Sequence, residues 1–334
     1  MALISSRELK ADVAQFGGLV HRIYADSAPL AEDKTLNLGR NLDPSNPGLG
    51  HVQWRSVTVA DGRDVAAHAL VAVDERLPGI AHVGFLETLP HAAPKLFETV
   101  KAEARSMGVH VLRGPVNFNT WQDFRAVTED SGAPPFFLEP YTRHADGALW
   151  RSHGFEPCVR YLSLTEEASH ASLGRGMRQS TDISIERVRP DTVGTVIHGL
   201  HTVALSGFSD TWSFIPISEE EFAYIYRVPL AMLDVFRIFV ARTQANGIVG
   251  FLVAALDMYN PARTSLVVKS MAVHADHRQK GIGSALLAEL HRHALESGLK
   301  RYIFSTMQTG NSVIRRMVGG GRKFRSYEVG ECRV

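Results

Sequence analysis

Apolar positions along this chain recur at two periods, and the periods alternate. Residues 54–60 and 65–73 read as two strands joined through Asp61-Gly62, a hairpin signal. Residues 80–86 read as a third strand, and 94–107 have helical spacing with Gly108 just past the end. A strand over 110–115, a helical stretch over 142–152 and a strand over 158–164 close the first half. The second half opens a strand at 183–185 and carries an apolar run over 266–273. A helix follows over 282–295, with Ile282, Leu286, Leu290 and Ala294 on one stripe and Gly298 near its end. Then come a strand over 301–306, a short helical run over 312–318 led by Asn311, and a strand over 323–330.

The two halves repeat one order of elements, which points to duplication. The long helix of the first half ends Ser106-Met107-Gly108-Val109, and its counterpart ends Glu296-Ser297-Gly298-Leu299. Residues 166–181 lack apolar periodicity and carry Ser, Gly and charge, as linkers do. The expectation is a mixed α/β chain with domains at 1–165 and 182–334, joined by 166–181. A length of 334 residues suits two domains.

Composition removes several function classes. A formal charge of +1 gives no bulk attraction to nucleic acid or a membrane surface. A local basic patch at Arg315, Arg316, Arg322, Lys323 and Arg325 is either a solvated face or an anchor for phosphates. Two cysteines, Cys158 and Cys332, make no disulfide framework, and the 15 histidines are scattered, so no metal site is expected. No apolar run reaches membrane-spanning length, and the charged residues of the first stretch do not read as a signal peptide. The cytoplasm is the expected location.

The chemistry concentrates after the 266–273 strand, in His277-Arg278-Gln279-Lys280-Gly281-Ile282-Gly283-Ser284. Strand, glycine turn and helix start make an anion site, because the first helical turn leaves backbone N–H groups unpaired at the positive end of the dipole. The P-loop spacing is absent, and Leu286 stands where a dinucleotide fingerprint needs its third glycine. Arg278-Gln279-Lys280-Gly281-Ile282-Gly283 does fit Arg/Gln-x-x-Gly-x-Gly. With its context, this loop resembles the coenzyme A pyrophosphate loop of the GCN5-related N-acetyltransferases (GNAT), over residues 182–334.

The resemblance implies two tandem acyl-coenzyme A N-acyltransferase domains on mixed sheets. Backbone groups of Met271, Ala272 and Val273 would pair with the pantetheine arm. N–H groups from Gln279 to Ser284 would hold the pyrophosphate, with Arg278 and Lys280 adding charge and Asn311 touching the coenzyme or its thiolate. Acetyl-coenzyme A is the implied cosubstrate, with no metal. The acceptor would be a small-molecule or peptide amine near Phe208, Trp212 and Tyr224, in the aromatic-rich stretch 204–226. Catalytic residues stay unassigned. The 266–270 strand holds no carboxylate, and Val318 occupies the position of the usual tyrosine acid, with Tyr302, Ser305 and Tyr327 as stand-ins.

The first half has Glu87-Thr88-Leu89-Pro90-His91 where the glycine loop would be, so it resembles a copy that lost its ligand loop. The stretch Arg113 to Asn119, Pro134-Pro135, Tyr141 and His153-Gly154-Phe155 resembles uncharacterised bacterial tandem-GNAT proteins, as do Phe214-Ile215-Pro216 and Glu219 to Phe222. Direct acyl transfer to an amine is the expected activity. A non-catalytic acyl-coenzyme A sensor and an aminoacyl or long-chain acyl transferase are the alternatives, and self-association is left open.

Overall fold

The fold comes from a computed structural model that describes residues 6–169, 183–245, 247–310 and 321–334, with side chains from residue 12 onward. The chain divides into two compact units. The first holds Met1–Asp130, Pro140–Arg160 and Ser326–Val334. The second holds Ser131–Glu139 and Tyr161–Arg325.

In the first unit, helices α1 (Ser6–Ile23) and α2 (Ala28–Asn41) precede the strands. The hairpin of β1 (Val52–Asp61) and β2 (Asp64–Asp74) turns at Gly62, whose φ of 63° is the left-handed region that glycine takes without strain. Strand β3 (Ile80–Thr88) pairs antiparallel with β2. Helix α3 (Ala93–Ser106) buries Leu96, Phe97, Val100 and Ala104 and leads to β4 (Val111–Gly114), which runs parallel to β3. Strand β5 (Ala126–Asp130) follows. Helix α4 is Gly147–Ser152. The helical reading over 142–152 is thus too long at its start, because the Asp146 carboxylate accepts from Leu149 N and sets the first turn there.

Strand β6 (Glu156–Glu167) has residues in both units. The second unit continues with β7 (Ile183–Arg187), α5 (Val193–Phe208), α6 (Glu219–Ala231), β8 (Phe236–Thr243), β9 (Ile248–Leu256) and β10 (Ser265–Val273). Helix α7 (Ile282–Glu296), β11 (Arg301–Gln308) and β12 (Arg322–Arg333) complete the chain. The strand order in this unit is β7-β8-β9-β10-β11-β6, with β10 and β11 parallel. Helix α7 packs its Leu286, Leu290 and Ala294 onto Phe239, Leu252, Leu266 and Phe304 on one face of the sheet. Helix α5 lies on the other, where Phe208 meets Phe251 edge to face at 6.3 Å.

The element order repeats as the sequence pattern predicts, down to the helix ends. After α7, Leu299 N reaches Ala294 O at 2.9 Å and Gly298 N reaches Leu295 O at 3.1 Å. After α3, Val109 N reaches Ala104 O at 3.2 Å and Gly108 N reaches Arg105 O at 3.0 Å. Both are the same left-handed glycine stop.

The units are not the contiguous halves that the sequence suggests. Tyr161 to Glu167 of β6 pair with β11 of the second unit, whereas Gly330 to Arg333 of β12 pair with β4 of the first. Strand partners are fixed by backbone ladders between distant segments, which local periodicity does not encode. The 131–139 segment also belongs to the second unit, where Phe136 packs on Val267 and Ile303. Most of the expected linker, residues 170–181, lies outside the described residues.

Candidate functional site: a strand cleft and a glycine helix start

Strands β10 and β11 pair from Ser265↔Arg301 to Val268↔Phe304 and then part. On its other side β10 stays with β9 through Val273↔Gly250, after a bulge at Lys269. One bond fixes which backbone groups face the gap. His274 N donates to Val249 O at 2.9 Å, so alternation turns Ala272 and Ser270 toward β9. The N–H and C=O of Met271 and Val273 point the opposite way, to the side that β11 has left. Their side chains pack against the α7 core, so backbone and side chain serve different neighbours. Ala272 is held from above: a Cβ on Gly207 of α5 would stand 2.8 Å from the Ala272 Cβ and 3.4 Å from Val273 O.

Beyond β10 the chain makes a short turn at Ala275–His277 and reaches Gln279 and Gly281, with φ of 64° and 77°. Gly281 is the N-cap of α7, and no side chain caps that end. The first bond into the helix is Ala285 N to Gly281 O at 3.0 Å, so the N–H groups of Ile282, Gly283 and Ser284 precede it. Gly283 is buried, and the Ile282 side chain is core.

The two flanking cations are already engaged. Arg278 donates to Asp210 at 3.1 Å and to Ser206 O and Gly207 O at 3.3 and 3.2 Å, which ties the loop to the end of α5. Lys280 donates to Asp276 O at 2.9 Å. These are exposed contacts of small energy, roughly 0–1 kcal/mol for the ion pair, so they position the loop without locking it. Asn311, Arg315, Arg316 and Val318 lie outside the described residues.

Phe208, Trp212 and Tyr224 are each half-buried. Phe208 meets Phe251 edge to face, while Tyr224 carries the Arg227 guanidinium 4.0 Å over its ring. Glu221, a buried carboxylate beside this stretch, is committed to the start of α6: it accepts from Ser218 N at 2.7 Å and completes a capping box. Tyr302 is buried under the His291 ring on the α7 side, away from the α5 side. Tyr327 belongs to the other unit. Tyr226, another aromatic of the 204–226 stretch, has a buried hydroxyl bonded by Ser270, and burial makes it a weaker acid than a free phenol. The alternation of β10 around the bulge is what pairs them, and only the register reveals it.

The first unit has the counterpart cleft, and it is filled. Pairing of β3 with β4 ends at His82↔Arg113, and β3 bulges near Phe85, whose φ is 45°. The residues after β4 then run along β3. Val116 N donates to Val83 O at 2.8 Å, and the Asn117 side chain accepts from Phe85 N at 2.7 Å. His82 donates through Nδ1 to Phe118 O at 2.7 Å. Glu87 is buried and satisfied by Tyr24 at 2.9 Å and Lys34 at 2.6 Å.

A bulged strand, a parting parallel partner and an open glycine helix start are the features of the GNAT acyltransferase fold. Residues 234–315 match the family described as Acetyltransferase (GNAT) domain, and the chain as a whole shares the fold of tandem GNAT proteins. A tandem GNAT protein from the clavulanic acid biosynthesis pathway is similar across 97% of this chain and 95% of its own, with 14% identity and a TM-score of 0.59. A GCN5-related N-acetyltransferase from Sphaerobacter thermophilus is similar over 97% and 93%, with 13% identity and a TM-score of 0.55. Protein YghO of Escherichia coli (strain K12) is 20% identical over 246 residues, 69% of this chain and 63% of that protein, so the match spans under two thirds of the relative. Among the described residues, no helix is long and apolar enough to cross a membrane, and no cluster of side chains could hold a metal ion.

Proposed function

We propose that the second unit transfers an acyl group, acetyl in the simplest case, from acyl-coenzyme A to an amine. The observation that carries the reading is the free edge of β10 at Met271 and Val273, leading straight to the uncapped first turn of α7. The N–H groups of Ile282, Gly283 and Ser284 suit a diphosphate, and the two backbone positions on the edge suit the amide-bearing arm. Bound there, the coenzyme would supply an activated carbonyl. The protein's part is to hold the amine against it and to exclude water. The half-buried rings of Phe208, Trp212 and Tyr224 form the acceptor side and favour an apolar or aromatic amine. A solved glucosamine N-acetyltransferase region of a fungal β-N-acetylglucosaminidase is similar in fold, which supports nitrogen as the acceptor atom. Two free cysteines fit a reducing compartment, and we assign the reaction to the cytoplasm.

Gly283→Glu places a side chain and a negative charge at the helix start. Titration calorimetry with acetyl-coenzyme A should show binding to the parent and its loss in the variant. Equal affinity in the two would refute the placement. A second reading follows from the lack of a carboxylate on β10: a binding module without turnover. Thiol release with a panel of amines decides between them, since a sensor binds and releases none.

A further inference from the structure

We propose that Ser305 is the hydrogen-bond donor to the departing sulfur of the thioester. The proposal deepens the coenzyme reading of the cleft and rests on it. Ser305 is the first residue of β11 after its last pair with β10, at Phe304. It therefore stands where the cleft opens. Its side chain is only 7% exposed, and its Oγ is buried with no hydrogen-bond partner. A buried hydroxyl left unpaired costs about 1–3 kcal/mol, so its presence calls for a partner that arrives with a ligand.

Alternation assigns its side of the sheet. Tyr302 and Phe304 pack into the α7 core, whereas Ile303 packs with Val267 and Phe136 on the opposite face. Strand β11 bulges after Phe304, so Ser305 and Thr306 together lie opposite Ser163 of β6, between Leu162 and Leu164 on the α7 side; Ser305 therefore shares the face of Ile303, as does Ser270 opposite Val253. Two hydroxyls thus flank the closed end of the cleft, one on each strand. That of Ser270 is committed to Tyr226, which is itself buried. That of Ser305 remains.

The geometry also sets which end of the cosubstrate reaches it. With the diphosphate at Ile282 to Ser284, beyond the C-terminal end of β10, the arm runs back along Val273 and Met271. Its far end, the thioester, then lies toward the closed end of the cleft at Ser270 and Ser305. In the transfer, the amine nitrogen bonds to the carbonyl carbon and the carbon–sulfur bond breaks, its electron pair staying on sulfur. The nitrogen loses its proton to solvent, and sulfur leaves as a thiolate that solvent later protonates. A serine hydroxyl is too weak an acid to hand over its proton here. It donates a hydrogen bond, and bonds to a charged acceptor are the strong ones.

Coenzyme A itself is the probe, because its thiolate is the leaving group. Calorimetric titrations at pH 7 and pH 9 compare coenzyme A with desulfo-coenzyme A on the parent protein and Ser305→Ala. At pH 9 the parent should bind coenzyme A roughly tenfold more tightly than the variant does, while desulfo-coenzyme A binds both alike. Equal affinity of parent and variant for coenzyme A at pH 9 overturns the assignment. A parent that binds neither compound overturns the cleft reading instead, so the two failures are distinct. The ligand-free variant should melt no lower than the parent, since no bond is lost; a drop of several degrees would show a structural partner and overturn the proposal.

Discussion

Acid should loosen the first unit through one histidine. His82 lies on β3, is 2% exposed, and donates to Phe118 O in the segment that fills the cleft. Burial, with a smaller contribution from nearby Arg113, lowers its pKa from 6.5 to about 4, while the carbonyl bond and Asp74 oppose the shift. The folded protein therefore refuses a proton that the unfolded chain takes up below pH 6.5. Stability is full above that pH and falls as pH drops toward 4. The fall from 6.5 to about 4 corresponds to about 3 kcal/mol, most of it lost by pH 4.5. Asp12 and Asp26, whose pKa values are lowered, act in a window below 3.8 and do not confuse the range. Urea unfolding of the parent and His82→Gln, followed by tryptophan fluorescence in a Trp212→Phe background, isolates this unit, since Trp54, Trp121 and Trp150 all lie in it. The parent should lose about 2.5 kcal/mol more than the variant between pH 7.5 and pH 4.5. Parallel curves over that range would refute the argument.

Gly84→Ala would place a Cβ 2.6 Å from Asn117 Cα and closer still to Val116 O, both backbone, and should destabilise the first unit by about 3 kcal/mol in the same urea assay. In the second unit, the Glu139–Arg325 pair is wholly buried at 3.2 Å. Glu139→Ala leaves a buried guanidinium without its carboxylate and should cost about 3–5 kcal/mol, read from the Trp212 signal.

Local signals carried far in this chain. The Asp61-Gly62 hairpin, the stripe of α7 and the glycine stops at Gly108 and Gly298 were all legible, because each is set within a few residues. The glycine loop was legible for the same reason. What stayed hidden depends on distant partners. Helices α1 and α2 escaped the reading, although Phe16, Leu19 and Val20 form a buried stripe. The exchange of β6 and β12 between units leaves no local trace. Gly84 looks like any strand glycine until Val116 and Asn117 are placed against it. Ser305 was named only as a stand-in acid; its unpaired hydroxyl depends on where two strands part.

The two clefts show how the same backbone demand is met within the chain in one unit and left open in the other. Each arises where a parallel pair ends beside a bulge, which strips backbone groups of their ladder partners. Buried N–H and C=O groups must be paired by something. In the first unit the chain does this itself: Val116 takes Val83 O, and Asn117 takes Phe85 N. Gly84 makes room for that approach, and His82 fastens it at Phe118. In the second unit the ladder leaves Met271 and Val273 facing the gap, and the next turn presents amide hydrogens where the first unit has buried Glu87. A pantetheine arm carries the amide groups that Val116 and Asn117 supply in the other copy. The same backbone demand is therefore met by a covalent segment in one unit and, on our reading, by a cosubstrate in the other.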